Sequence, residues 1–256
     1  MRFRPLIAVL LFFPVAVFAQ ETRVATDQDT ARMSTAIVPI VGNVVGSQTE
    51  RWRTDVEIVN YTGAAADVAL ELPNAPEQPA IFLSLAAGER QRFGDITAQA
   101  FGIESVLSPL RITTSGRRSV TIRANVYADS ANGVSKAQPV TTYFGPQYAP
   151  MRVLDGLAFG HGMRTNIGFV NFGERPAEFV LALQRIPGRN LAVTRVLIPP
   201  GGLNHDAIQL LFPLITEGAG FSVVVESLAP DTYVYASVVD NDTQEGTFIA
   251  PRVAVR

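Results

Sequence analysis

From Ile37 onward the chain consists of short apolar runs, rich in Val, Ile, Phe and Tyr, with Gly, Pro, Asn or Asp between them. The breaks recur about every eight to twelve residues, which is the spacing of an all-β sandwich or barrel. Within residues 53–58, small or apolar residues alternate with charged ones. That alternation predicts a strand with one buried face and one solvated face.

The pattern repeats along the chain. Residues 53–61 read RTDVEIVNY, and residues 164–172, at an offset of 111, read RTNIGFVNF. Further pairs at the same offset are Asp95 with Asp206 and Asp129 with Asp240. We interpret the chain as a tandem duplication with about seven strands per copy.

One short helical turn is predicted in each copy. Asp95 precedes the segment ITAQAF, and Asp206 precedes AIQLLF. Aspartate is a favoured N-cap because its carboxylate accepts a hydrogen bond from an amide of the first turn. We therefore assign both aspartates a structural role.

The first 19 residues have the form of a secretory signal peptide. Arg2 and Arg4 precede about 13 mostly apolar residues, too few to span a bilayer, and small residues precede the predicted cleavage between Ala19 and Gln20. An uncleaved membrane anchor is the alternative. After cleavage we expect an exported chain with no stable transmembrane segment, in the periplasm, at the cell surface or outside the cell.

The mature chain divides into four segments. We predict a flexible leader at residues 20–35, a β-sandwich repeat at 36–144, a linker at 145–151 and a second β-sandwich repeat at 152–256. The leader is polar and aperiodic, and the linker region is rich in Pro and Gly.

Charge and cysteine content exclude several classes of function. Without Arg2 and Arg4 the chain has 19 basic and 23 acidic residues, a net charge near −4 with no like-charge block, so nucleic acid is not an expected partner. The absence of cysteine excludes a lipoprotein amino terminus, thiolate metal sites and cysteine nucleophiles.

The strand RTDVEIV, running into the turn NYTG, resembles the start of the immunoglobulin-like repeats of secreted bacterial proteins. Asn171 and the two residues after it repeat this arrangement, in which an asparagine and a short turn join two strands. The resemblance implies an all-β chain of two tandem immunoglobulin-like β-sandwich domains. It also implies an adhesive, spacer or interaction role, as in many such repeats of unassigned function.

Catalytic residues are sparse. The sequence has no Gly-x-Ser-x-Gly elbow and only two histidines, His161 in a glycine-rich loop and His205 before Asp206. A triad of His205 with an Asp and a Ser is the catalytic alternative. The equivalent first-copy stretch, RFGD, contains no histidine, so we expect no enzyme activity and no cofactor.

The turn DNDTQEG places several oxygen atoms close together, which is what a calcium ion requires. Its acidic residues are Asp240, Asp242 and Glu245. The first-copy turn keeps only one carboxylate, and Asp, Asn and Gly are also ordinary turn formers. A solvated hairpin is therefore favoured over a metal site.

Candidate partner contacts are Trp52, Arg53, His161 and Arg164. The two arginines open equivalent strands, and each could bind an anionic ligand or pair with a local acid. Trp52 has Met163 as its counterpart. We therefore expect it to cover a sandwich edge or the join between copies and not to stack on a sugar.

These observations favour an exported, non-enzymatic interaction, adhesion or structural module, whose partner is a protein or a cell-surface component. One alternative is a periplasmic assembly chaperone of the pilus type, although such chaperones have unlike domains and a basic pair in the cleft between them. Another alternative is a secreted carbohydrate-binding or hydrolase accessory protein.

Overall fold

The computed structural model describes residues 33–46, 49–115, 119–131, 133–145, 149–160 and 162–254. It confirms the all-β prediction, with 63% strand and 5% helix in several antiparallel sheets, as in a β-sandwich. Helices long and apolar enough to cross a membrane do not occur in these ranges. Ala19, Gln20 and His161 lie outside the described residues.

In the described residues up to 145, the first half of the chain contains ten strands and one helix. Their bounds are β1 (Met33–Val45), β2 (Arg51–Asn60), β3 (Ala66–Glu71), β4 (Ile81–Leu85), β5 (Arg90–Phe93), α1 (Ile96–Phe101), β6 (Val106–Ser115), β7 (Val120–Ser130), β8 (Gly133–Val134), β9 (Gln138–Val140) and β10 (Tyr143–Phe144).

In the described residues from 149 onward, the second half contains nine strands and one helix. Their bounds are β11 (Met151–Phe159), β12 (Met163–Asn171), β13 (Ala177–Ile186), β14 (Arg189–Ile198), β15 (Leu203–Ala207), α2 (Ile208–Leu211), β16 (Gly218–Glu226), β17 (Thr232–Asp240), β18 (Gly246–Ile249) and β19 (Arg252–Val253).

Strand pairing follows the same order in both halves. In the first half β4, β3, β6, β1 and β10 pair in that order, as do β14, β13, β16, β11 and β19 in the second. Likewise β5-β2-β7-β9 corresponds to β15-β12-β17-β18. The halves differ because β1 also pairs with β2, which merges the first half into one 10-stranded sheet.

A fully buried asparagine ends β2 and its counterpart β12. The Asn60 amide nitrogen lies 2.7 to 3.0 Å from the carbonyl oxygens of Ala64, Leu85 and Ala86. The Asn171 amide nitrogen lies 2.7 to 3.2 Å from the carbonyl oxygens of Arg175, Ile198 and Pro199. In each half this side chain therefore fastens two neighbouring turns, one of which follows the asparagine itself.

Asp95 and Asp206 do not have the same role. Asp95 caps α1, accepting a 3.1 Å hydrogen bond from the Ala98 amide, as predicted. The prediction for Asp206 is wrong, because α2 begins after Ala207 and has no side-chain cap. Asp206 lies within β15 opposite Ile167, in the place that Phe93 takes opposite Val56.

The proposed equivalence of Asp129 and Asp240 is also out of register. Asn60 lies opposite Val120, and Asn171 lies opposite Thr232, so β7 and β17 correspond at an offset of 112 and not 111. By pairing, Asp240 corresponds to Ala128. Loops of different length shift the register between one strand and the next.

The described residues form two buried hydrophobic clusters. One is built from the second half alone and includes Ile167 and Phe169. The other fills the first half but also includes Val170, Tyr233 and Tyr235 from the second half. The sheet that contains β12 and β17 is therefore buried on both faces.

We predict that Asn171→Ala lowers the free energy of unfolding by about 3 kcal/mol, because it leaves buried carbonyl oxygens without a donor. Urea unfolding measures this loss. Asn190→Ala is the control, since the Asn190 side chain accepts its hydrogen bond from Gln184 in an exposed hairpin, and we expect a change below about 0.5 kcal/mol there. Equal losses in the two variants would contradict the role of Asn171.

Candidate functional site

The solvent face of the first half's β5-β2-β7 sheet is charged. Asp55 and Glu57 point outward from β2, because successive side chains of a strand point to opposite faces and their neighbours Val56 and Ile58 are buried. Their carboxylates lie 3.4 Å from the guanidinium groups of Arg92 and Arg90 respectively. This face is an ordinary solvated sheet surface.

The matching face of β15-β12-β17-β18 is mostly uncharged. Asn166 and Gly168 stand where β2 has Asp55 and Glu57. A Cβ at Gly168 would collide with the ring of Tyr235, so only glycine lets that ring lie across β12. Because it lacks the carboxylates that Asp55 and Glu57 place on the first half's face, this face can be buried at a lower cost.

A stack of three rings lies on this face. The Tyr235 ring stacks on Phe248 at 5.2 Å with an interplanar angle of 16°, and on His205 at 5.7 Å with an angle of 24°. His205 Nδ1 lies 3.0 Å from the Tyr235 hydroxyl oxygen. Tyr235 is fully buried, although it points away from the core of its own half.

A buried ion pair joins the two halves. Glu50 is only 1% exposed, and its Oε1 accepts hydrogen bonds from Trp52 Nε1 at 2.8 Å and from Arg164 Nη2 at 3.3 Å. The Arg164 guanidinium carbon also lies 5.7 Å from the centre of the Trp52 ring. Gly46 leaves room for this arrangement, because a Cβ there would collide with the Glu50 carboxylate.

The Arg164 guanidinium is held from both sides. Its nitrogens donate to Asn241 Oδ1 and Gln244 Oε1, each at 2.7 Å, in the turn between β17 and β18. Burial lowers the pKa of Arg164 from its usual value, and the Glu50 carboxylate opposes this shift. The pair compensates two charges that would be costly to bury singly.

Beside this ion pair lies a cleft of about 360 Å³ between the two halves. The first half contributes side chains from β1, β2, β6, β7 and β9, and the second contributes side chains from β12, β15, β17 and β18. Pockets that hold small molecules in proteins have volumes of about 300–1,000 Å³. We take this cleft as the candidate functional site.

The structure brings together two of the predicted contact residues, Trp52 and Arg164. Arg53 also lines the cleft, but it pairs with Asp129 and lies 5.8 Å from the centre of the Tyr127 ring. His161 is outside the described residues.

The turn after β17 has a structural explanation. Asp240 Oδ1 accepts hydrogen bonds from the amides of Asp242 and Thr243 at 2.8 and 2.9 Å, and these bonds lower the pKa of Asp240. Within the part of the chain that the structure describes, no group of three or more His, Asp or Glu side chains is placed to hold a metal ion. A calcium site at Asp240, Asp242 and Glu245 therefore gains no support.

His205 does not form the geometry of a catalytic triad through Nδ1, which lies against the Tyr235 hydroxyl and not against a carboxylate. Burial lowers the pKa of His205 from 6.5 to about 4, and the neighbouring Asp206 only partly offsets this. The imidazole is therefore neutral at pH 7.

Comparison of the chain with known protein families, with curated proteins and with solved structures found no match. The cleft must therefore be interpreted from its own residues.

Sequence reasoning missed the roles of Glu50, Tyr235 and Phe248, although one signal was present. Residues 233–239 read YVYASVV, a run without the alternation of a half-buried strand. Such a continuous run is typical of a strand buried on both faces.

We predict that Glu50→Gln lowers the free energy of unfolding by about 3 kcal/mol, because Arg164 loses the acid that compensates its buried charge. In combination with Arg164→Met, the loss should be smaller than the sum of the two single losses by about 1–3 kcal/mol. Urea unfolding of the four proteins in this cycle measures the coupling.

The exposed pair of Arg195 and Glu178 is the matched control, with nitrogen and oxygen 3.0 Å apart. Exposed pairs contribute about 0–1 kcal/mol, so its cycle should show a much smaller coupling. Equal coupling energies in the two cycles would show that the contact between the two halves is not stabilised by the buried pair of Glu50 and Arg164.

We also predict a pH dependence of stability from His205. In the unfolded chain this group takes up a proton below its ordinary pKa of 6.5, whereas in the folded chain it stays neutral down to about pH 4. Its contribution is therefore present above pH 6.5 and falls as the pH drops, by about 2 kcal/mol from pH 7 to pH 5, and by less where water in the cleft reaches the ring.

Urea unfolding at pH 7 and pH 5 tests this prediction. His205→Gln should lose less stability than the wild type over that interval. A variant with the same pH dependence as the wild type would mean that His205 is protonated as easily in the folded chain as in the unfolded one.

Proposed function

We propose that this chain is an exported, non-enzymatic interaction module of two duplicated immunoglobulin-like β-sandwich domains that binds its partner through the cleft between them. The partner is a protein or a cell-surface component. Export rests on the form of the first 19 residues.

Strand pairing supports the duplication. Each main pairing of the first half has its counterpart in the second, in the same chain order. Asn60 and Asn171 make equivalent triple contacts at the ends of equivalent strands. Two unrelated sandwiches would not be expected to share both a pairing order and a buried polar side chain with the same contacts.

The observation that carries the proposal is the change of one sheet face between the copies. This face is charged in the first half and largely apolar and aromatic in the second, where the first half covers it. Packing of the first half on this face holds the two halves together and leaves a cleft that is lined by residues of both halves.

The two arginines in the cleft disfavour the pilus-type chaperone. Arg53 pairs with Asp129 and Arg164 pairs with Glu50, so each already has an acid partner. A non-enzymatic role is supported by the contact of His205 with Tyr235, which leaves the cleft histidine without the acid that a triad places at Nδ1.

The test uses the labelled mature chain, starting at Gln20, and cells of the producing organism. We expect saturable binding that Gly168→Glu weakens at least tenfold. This substitution gives β12 the carboxylate that Glu57 supplies in β2 and forces it against the Tyr235 ring, between the two halves. Glu57→Gln is the control, since it changes the equivalent solvent-facing position, and its binding should be unchanged. The exported protein should have the mass of a chain cleaved after Ala19.

Other outcomes point to the alternatives. Equal binding by Gly168→Glu, after circular dichroism has shown that it is folded, would move the binding surface away from the cleft. Capture of one unassembled fibre subunit as the dominant partner would favour the chaperone. Specific binding on a glycan array would favour the carbohydrate-binding accessory.

A further inference from the structure

The walls of the cleft are chiefly apolar. The first half supplies Ile40, Val44, Leu107 and Val126, and the second supplies the half-buried ring of Phe248, which stacks on the fully buried Tyr235 ring behind it. Apolar walls favour a ligand that buries apolar surface, and the partly open Phe248 ring favours a flat ring that can pack against it.

The charges around the cleft are already compensated. Glu50 and Arg164 pair with each other, and Arg53 pairs with Asp129. His205 is neutral near pH 7. An ionised ligand would lose its hydration here without gaining an unpaired counter-charge, which is unfavourable. The cleft therefore selects for an uncharged molecule.

Two polar side chains stand together on the floor of the cleft. Asn166 of β12 lies directly opposite Ser237 of β17, and both are half-buried. On the two neighbouring strands, Ala207 of β15 lies opposite Asn166, and Phe248 of β18 lies opposite Ser237. An amide beside a hydroxyl can both donate to and accept from one polar substituent of a ligand.

We infer that the cleft binds a small, uncharged molecule with a flat, largely apolar ring body and one hydrogen-bonding substituent. This inference rests on the proposed function, since it names the chemistry of a ligand for the same cleft. The apolar walls hold the ring body, and Asn166 and Ser237 hold the substituent.

A pair of fluorescent probes tests the selection against charge. N-phenylnaphthylamine is neutral, and anilinonaphthalene sulfonate carries the same rings with one added negative charge. We expect the neutral probe to bind the mature chain with one site, at least tenfold more tightly than the sulfonate. Trp52 is the only tryptophan in the chain and lines the cleft, so a probe bound in the cleft must accept energy transfer from it, and the variants below test the location more closely.

Two variants test the location. Ser237→Phe fills the cleft from its floor and should weaken binding of the neutral probe at least tenfold. Asn125→Phe is the matched control, because Asn125 lies opposite Asp55 on the solvent face just as Ser237 lies opposite Asn166 in the cleft. We expect its affinity to change less than twofold. Val126→Phe, from the opposite wall, replaces Ser237→Phe if that variant does not fold.

The inference is overturned if the sulfonate binds as tightly as the neutral probe, if no energy transfer from Trp52 accompanies binding, or if the cleft variants and Asn125→Phe behave alike. Absence of probe binding overturns it as well. Binding to cells is measured without the probe, so the two proposals can fail separately. If the chain binds cells but not the probe, the proposed function stands and the inference about the ligand is wrong.

Discussion

Burial of the outer face of the β15-β12-β17-β18 sheet is the constraint on which the rest of the structure depends. A sheet face can leave water only if its side chains are apolar or have their polar groups paired. Tyr235 and Phe248 meet the first condition, and Arg164 meets the second through Glu50. The cleft exists because this face and the first half are held together around a space that they do not fill.

Much of the fold follows from local pattern. Alternation in β2 correctly predicted that Thr54, Val56 and Ile58 are buried. Asp95 was correctly predicted as a helix cap. The short strands β8, β9 and β10 have two or three residues each, too few for any alternation to appear, and so the sequence gives no signal for them.

The two wrong predictions, the cap role of Asp206 and the equivalence of Asp129 with Asp240, have a common physical origin. A fixed offset of 111 aligns β2 with β12, but the pairing partners of those strands are displaced by one or two more residues. Asp206 therefore lies inside β15, although the fixed offset pairs it with the helix cap Asp95. A slip of one residue moves a strand's side chains to the opposite face, so a motif match in one strand does not fix the roles of residues in the next.

The site could not be predicted from the sequence of either half alone, because it depends on what covers a sheet face and not only on the residues of that face. The informative comparison is between Glu57, which lies near two arginines on the solvent face, and Gly168, which lies under the Tyr235 ring. If both faces were charged, packing one half on the other would bury unpaired charges, which is unfavourable. The difference between the two halves at this one face, more than the differences between their loops, is therefore what allows one half to pack on the other and leaves a cleft between them.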